Sequence, residues 1–447
     1  MSKSRATVSF ISILKSSHWK CAFLAVFATA ETFIALLVLT LSLDDALAGG
    51  YAIPAQTAKA TNLGNAVTAG IDDPSAVYIN PAALSEIKGN EIMGGLHYIN
   101  NISSVTNSGR RSTNRHADNF IPTLFGNYHI PGTDLTAGVG LYAPFGLAVS
   151  YDGDSFTRFS SVQTQLKTAY LTPAVAWNPV SYLSVGAGVS FIHSSAVLSQ
   201  RVFLGGPEAS LRIDGHDNAF GYNLGVLVKP VESVKLGLTY RGRVDLNFDD
   251  SDVRFIDASV TGGTVTRVRT NAVHVPLPPV ISAGINWQIN PDWAVEFVYD
   301  YTRWSEFQNL SGQFGSPLPA LGGAVAIPGF TIPQHWKNTS TLRFGSSYDL
   351  FENLQLRGGV DLDKTPIPSS TLSPAIPGAD WLALTAGIGY KWTKFTIDAG
   401  YMAVIYKNRR VNNTVLEGGN PLNPVAPGPD KYETFQNLVL INLGYRF

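Results

Sequence analysis

From Asn90 to the end of the chain, apolar and polar residues alternate with a period of two. In "VKLGLTYRGRVDLNF", Val234, Leu236, Leu238, Tyr240, Val244, Leu246 and Phe248 share one face. Lys235, Thr239, Arg241, Arg243, Asp245 and Asn247 share the other. Side chains alternate across a β-strand, so this stretch reads as a strand with one apolar and one strongly polar face. Trp293 to Thr302, Leu354 to Asp363 and Phe395 to Tyr406 repeat the pattern. Such segments run to about twice the ~5–6 residues of an ordinary strand. Long strands, apolar outward and polar inward, are the signature of a transmembrane barrel.

The connections alternate as well. Short ones fall at Ile130 to Asp134, Asn178 to Tyr182, Lys229 to Ser233, Ile289 to Asp292, Asp349 to Asn353 and Lys391 to Lys394. Longer ones lie between them, among them Asn101 to Asn119, Pro144 to Gln165, Phe203 to Gly215 and Trp304 to Lys337. Short periplasmic turns and long external loops predict an antiparallel barrel of about fourteen strands over residues 90–447. The chain closes on "LVLINLGYRF", whose alternate residues Val439, Ile441, Leu443, Tyr445 and Phe447 form one apolar face. A terminal aromatic on such a strand is what barrel-assembly machinery in Gram-negative bacteria recognises, which makes Phe447 its expected point of contact.

The first 48 residues break this pattern. Lys3 and Arg5 precede an apolar run from Cys21 to Leu43, which ends in Ala46-Leu47-Ala48. The small-x-small ending predicts a signal peptide over residues 1–48 rather than a membrane anchor. Cys21, the one cysteine, falls inside it, so a mature chain would hold no thiol. That excludes disulfides, a cysteine nucleophile and cysteine metal sites.

A second departure is "DDPSAVYINPAAL", Asp72 to Leu84. It is apolar without alternating. Asp72 or Asp73 can cap a short helix with Pro74 in its first turn, and Asn80 can cap another with Pro81. Compact helical turns are therefore expected ahead of the first strand.

Chemistry is sparse. With 32 Lys and Arg against 33 Asp and Glu, no broad basic surface for nucleic acid is expected. There is no nucleophile elbow and no P-loop. No histidines stand at metal-ligand spacing, and no cofactor is expected. Asp361 with Asp363, and Glu296 with Asp300, share strand faces and could serve acid–base chemistry. Charged residues are equally what a polar barrel interior contains. A barrel hydrolase, an adhesin and a general porin stay open as alternatives to an uptake channel.

A Gly-rich N-terminus followed by Asn80-Pro81-Ala82, ahead of such a barrel, resembles the FadL family of outer-membrane transporters for long-chain fatty acids and hydrocarbons such as toluene and xylene. The likeness extends through "GVGLYAPFGLAVSYD" (Gly138 to Asp152), "NPDWAVEFVYDYTRWSEFQNL" (Asn290 to Leu310), "LRGGVDLDKTPIP" (Leu356 to Pro368) and "GYMAVIYKNRRVN" (Gly400 to Asn412). The resemblance implies an integral, passive outer-membrane channel, monomeric and without cofactor, that takes hydrophobic small molecules. It implies an N-terminal hatch over residues 49–89, with Asn80, Pro81 and Ala82 as hatch and gating residues. It implies lateral exit into outer-membrane lipid at a kinked third strand, where Gly138, Gly140 and Pro144 are the candidates. Its implied ligand residues are Tyr51, near the start of the mature chain, the basic pair Arg201 and Lys337, and Phe203. Family members carry a third arginine where this chain has Asp380, which leaves neutral hydrocarbons open as ligands. Apolar "PFGLAV", with Phe145 and Leu147, and "ALGGAVAIPGF", Ala320 to Phe330, are expected capture surfaces because exposed apolar patches mark binding sites.

Overall fold

A computed structural model describes residues 50–261, 263–412 and 430–447. The expected signal peptide and most of the last long connection lie outside the described residues.

Fourteen antiparallel strands form a closed barrel. They are β1 (Glu91–Asn107), β2 (Asp118–His129), β3 (Leu135–Tyr142), β4 (Gln163–Val180), β5 (Leu183–Phe203), β6 (Glu208–Val231) and β7 (Val234–Arg241). The circuit continues with β8 (Val280–Asn290), β9 (Trp293–Thr302), β10 (Thr339–Phe351), β11 (Leu354–Asp363), β12 (Trp381–Trp392), β13 (Phe395–Tyr406) and β14 (Asp430–Arg446). Each pairs with its sequence neighbour, and β14 closes the ring on β1 from Glu91↔Arg446 to Thr106↔Lys431. Closure removes the open edges that a lipid phase would leave without hydrogen bonds.

The alternation does what its pattern predicts. In β4, Leu171, Val175 and Trp177 are exposed, whereas Tyr170, Thr172 and Ala176 are buried. Aromatic side chains collect near the short turns, with Trp177, Tyr182, Trp287, Trp392, Phe395 and Phe447 all exposed. Amphipathic rings belong at such an interface.

The long connections are more ordered than irregular loops. β5 and β6 run on as one hairpin and pair as far as Phe203↔Glu208. Asp252–Asp257 adds to β6, and Thr264–Leu277 adds to that strand. The hairpin Asn309–Ala320 with Val325–Pro333 extends the same sheet. These residues alternate too, so they pair with one another and bury Leu211, Phe255, Phe314 and Leu318 between them. The stretch from Ala320 to Phe330 is therefore the turn and outer strand of this hairpin.

Residues 50–87 lie inside the barrel, and Lys88 and Gly89 are exposed ahead of β1. Helix α1 (Ala58–Asn62) rests on β11 to β14, and the 3₁₀ turn Pro81–Glu86 on β3 to β6. Helix α2 (Ala76–Ile79) stands between them in sequence. The expected caps are only partly those used. Asp73 accepts from the Ser75 amide at 2.9 Å, ahead of α2, while Asp72 is taken by Lys59. Asn80 accepts from the Ala82 amide at 3.1 Å, with Pro81 opening the turn.

Candidate functional site

Cross-strand glycine pairs make room for the inner segment on one side of the barrel. Gly186 faces Gly225, and a side chain on either would overlap Asn80, Pro81 or Ala82. Gly237 faces Gly284 at Thr68, Gly345 faces Gly359 at Leu63 and Gly64, and Gly387 faces Gly400 at Asn62. Close backbone approach is what strand glycines permit. Polar contacts then fix the seat. Asn223 donates to the Val77 carbonyl at 2.8 Å, Arg241 to the Tyr78 carbonyl at 2.8 Å, and the Ala69 amide to Glu296 at 2.6 Å.

The carboxylates that could have been catalytic are engaged here. Asp361 accepts from Arg343 at 3.0 Å and from Asn65 at 3.3 Å, and Asp363 from Thr341 at 2.9 Å. Asp300 accepts from Ser282 at 2.5 Å and pairs with Arg343. Asp361 and Glu296 tie the wall to the inner segment, whereas Asp300 and Asp363 are bonded to neighbouring wall strands.

The other side of the barrel is built differently. β3 pairs with β2 only as far as Leu141↔Leu124, so β2 from Asp118 to Thr123 is paired with β1 alone. After Tyr142 the third strand leaves the wall, and it resumes as Gly146–Ser150 against β4. Tyr142 faces Tyr170 and Gly146 faces Lys167, so three residues (143–145) lie opposite two. One extra residue is a bulge, which bends the strand and frees its backbone. Pro144 lies in this break and has no amide to donate. Gly138 and Gly140 lie before it in fully paired wall, where a side chain would meet Val77.

The freed backbone is recaptured by the start of the inner segment. The Ile53 amide donates to the Pro144 carbonyl at 2.8 Å, and the Gly146 amide to the Tyr51 carbonyl at 2.9 Å. Ala52 and Phe145 form the bridge between them. Gln56 accepts from the Ala143 amide at 2.9 Å and donates to its carbonyl at 2.9 Å.

A cavity of about 780 Å³ opens at this break. Tyr51, Tyr142, Trp381, Met402 and Leu438 line it from the lumen. Phe120, Pro122, Leu141, Lys167 and His193 line it from the outer face of the wall. Residues of both faces can line one cavity only where the wall itself is open.

Tyr51 stands at the inner end of this cavity. Its ring packs against Trp304 (4.8 Å between centroids), Trp336 (5.4 Å), Phe307 (6.1 Å) and Phe145 (6.2 Å). Its hydroxyl donates to the Pro276 carbonyl at 2.6 Å. The polar end of the side chain is therefore spent on the protein. Burial pushes the phenol far above its ordinary value, so it remains a neutral donor.

Tyr51, Phe145 and Leu147 thus come together in one cavity. "PFGLAV" is its wall rather than an external loop. Arg201, Phe203 and Lys337 do not line it. Arg201 and Phe203 lie at the outer end of β5, where Phe203 packs on Phe159, 6.2 Å away. Lys337 is exposed ahead of β10, its amide donating to the Pro366 carbonyl at 2.9 Å. Asn80, Pro81 and Ala82 sit in the glycine seat, on β5 and β6. Sequence reasoning missed Gln56, Trp304 and Trp336. The two tryptophans, in "TRWSEF" and "QHWKN", carried a signal as large apolar residues beside long polar connections.

Residues 39–426 match the model of the outer membrane protein transport family described as OMPP1/FadL/TodX. The chain belongs to this family. It is accordingly an outer-membrane transport protein and not an enzyme. Among family relatives, it is 25% identical over 387 residues to a long-chain fatty acid transport protein of Escherichia coli O6:H1, covering 78% of this chain and 84% of that one. It is 24% identical to outer membrane protein P1 of Haemophilus influenzae, over 84% of this chain and 90% of that one. In fold it is similar to a Pseudomonas aeruginosa FadL homologue, with a TM-score of 0.77, 19% identity and coverage of 89% and 100%. The Pseudomonas putida toluene transporter TodX gives 0.69, at 17% identity and coverage of 90% and 99%.

Proposed function

We propose that this FadL-family chain is a passive channel for hydrophobic compounds, fatty acids or hydrocarbons. The ligand enters the 780 Å³ cavity, and leaves sideways into the membrane between β2 and β3. The observation that carries this reading is the cavity lined from both faces of the wall. An apolar chain gains about 0.8 kcal/mol for each CH₂ it buries, which a water-filled pore does not offer. Residues 50–87 pack across the lumen, which argues against a straight aqueous route. Relatives named for fatty acid and toluene transport agree with this ligand class.

In this reading, residues 50–56 are the gate and residues 57–90 the fixed part of the hatch. Tyr51 keeps the inner end of the cavity filled until ligand displaces it. Asn80, Pro81 and Ala82 hold the fixed part in place.

The test is to delete Pro144, which leaves two residues opposite two and lets β3 run straight along β4. Uptake of oleate, hexadecane and toluene is expected to fall by more than about tenfold, as for a lost gating element. The barrel should still fold and resist heat. Undiminished uptake of all three by the folded variant would overturn lateral exit.

A further inference from the structure

The cavity mouth has a charged side that no family assignment explains. Lys167 is the single Lys or Arg among the described residues that line the cavity. It is exposed on the outer face of β4, where Gly146, the first residue after the break, pairs with it. Its ammonium has no ion-pair or hydrogen-bond partner among the described residues. The height is informative. Outward residues of β4 below it are Ala169, Leu171, Pro173, Val175 and Trp177, all apolar. On β5, outward Val189 and Phe191 give way to His193 and Ser195, and Lys167 pairs with Ser195. Lys167 therefore stands where the apolar band ends.

Across the mouth, the acidic side is already satisfied. Asp118 of β2 accepts from the Tyr98 hydroxyl at 2.6 Å and from Asn100 at 2.9 Å. Both donors are neutral, so Asp118 keeps its negative charge but has its hydrogen bonds filled, and Lys167 is the cation of the lining without a partner among the described residues. A lysine at an interface commonly extends its charge toward water. This one lies at the rim of the opening, beside a mainly apolar cavity.

We propose that Lys167 is a head-group station for a carboxylate amphiphile: the chain occupies the cavity while the carboxylate rests on the Lys167 ammonium at the membrane interface. The station rests on the uptake reading above and sharpens it, because it separates a fatty acid from a neutral hydrocarbon of equal length. Leaving sideways, a fatty acid must keep its charge out of the hydrocarbon layer. A cation at the upper edge of the opening lets the tail swing into lipid while the head stays near water.

Binding of oleate and of oleyl alcohol, which has the same chain without the charge, tests this. The full barrel is placed in bilayers with and without lipopolysaccharide. Lys167→Gln should weaken oleate binding roughly two- to fivefold, the range of an exposed ion pair, and leave oleyl alcohol unchanged. Lys167→Arg should retain oleate binding. The effect should shrink at high salt. Equal loss for both ligands, or none for oleate, overturns the station. So does an oleate effect confined to lipopolysaccharide bilayers, which would give Lys167 to a lipid phosphate. Failure of the unmodified chain to bind either ligand would instead overturn the uptake reading itself.

Discussion

The inner segment meets the barrel in two ways. Along β5 to β13 it sits on paired glycines, its backbone against the wall and its polar groups matched to Asn223, Arg241 and Glu296. Along β2 and β3, residues 51–56 are held by backbone bonds, by Gln56 and by the Tyr51 side chain among its aromatic neighbours, and the cavity lies beside them. The first contact is a fitted seat in which movement would cost packing and hydrogen bonds together. The second is a strap. In the proposed function it is exchanged for ligand, because what it covers is a mainly apolar cavity and a strand already out of register. On that proposal one side of the segment stays and the other yields.

Covalent locks give the largest contrast. Ala52 and Phe145 form a bridge flanked by the bonds from Ile53 and Gly146, the close pair of an antiparallel ladder. That spacing accepts a disulfide. Ala52→Cys with Phe145→Cys, in a mature chain expected to hold no other thiol, should cut hydrophobic uptake more than about tenfold, with recovery on reduction. The matching lock joins the seated side through Ser85 and Ser184, whose hydroxyls are 2.7 Å apart. Ser85→Cys with Ser184→Cys should leave uptake within about twofold. Equal inhibition by both locks would mean that the whole inner segment must move.

A smaller effect comes from filling the seat. A side chain at Gly359 would overlap Leu63 and Gly64. Gly359→Val should cost roughly 1–3 kcal/mol, as overpacking usually does. It should lower the temperature at which the folded barrel loses its compact gel mobility. Gly89 has open space around its Cβ direction but a φ of +86°, so it is a poor control. A better one is Gly358, the neighbour of Gly359, which faces only the Thr385 carbonyl at 3.6 Å. Valine there should be tolerated.

Much of this fold was legible because alternation is a local signal. Strand identity, the short turns and the compact turns around Asn80-Pro81 could be read from neighbouring residues. The break in β3 was expected from the family resemblance, with Pro144 among its candidates, but its form was not legible, because it depends on a count across two strands: three residues after Tyr142 against two before Tyr170. Gly138 and Gly140 looked like the flexible points, yet their lack of side chains serves Val77 and leaves the ladder intact. The basic residues show the same limit of a local reading. Arg201 and Lys337 are identifiable along the chain, but only pairing shows that Lys167 reaches the cavity mouth. The aromatic enclosure of Tyr51 joins Trp304, Phe307 and Trp336 with Phe145, which no spacing in the sequence brings together.

The smallest effect probes the seat by charge. Glu86, at the end of the 3₁₀ turn, is bonded by Lys229 at 2.7 Å and faces Lys235 at 3.1 Å. Burial pushes its carboxyl up, but the two ammonium groups outweigh this and hold it below its ordinary value of 4.5. A carboxyl lowered by folding stabilises the fold above its unfolded value and loses that contribution as pH falls through the folded one. Glu86→Gln should therefore cost about 1 kcal/mol near pH 7, the scale of a partly screened pair. The difference from the unmodified chain should close as pH drops below the ordinary carboxyl range. If the seat is static, this loss should appear in heat resistance and leave uptake unchanged. A shift in uptake that tracks Glu86 protonation would show that the seated side takes part in opening, and the division between seat and strap would fail.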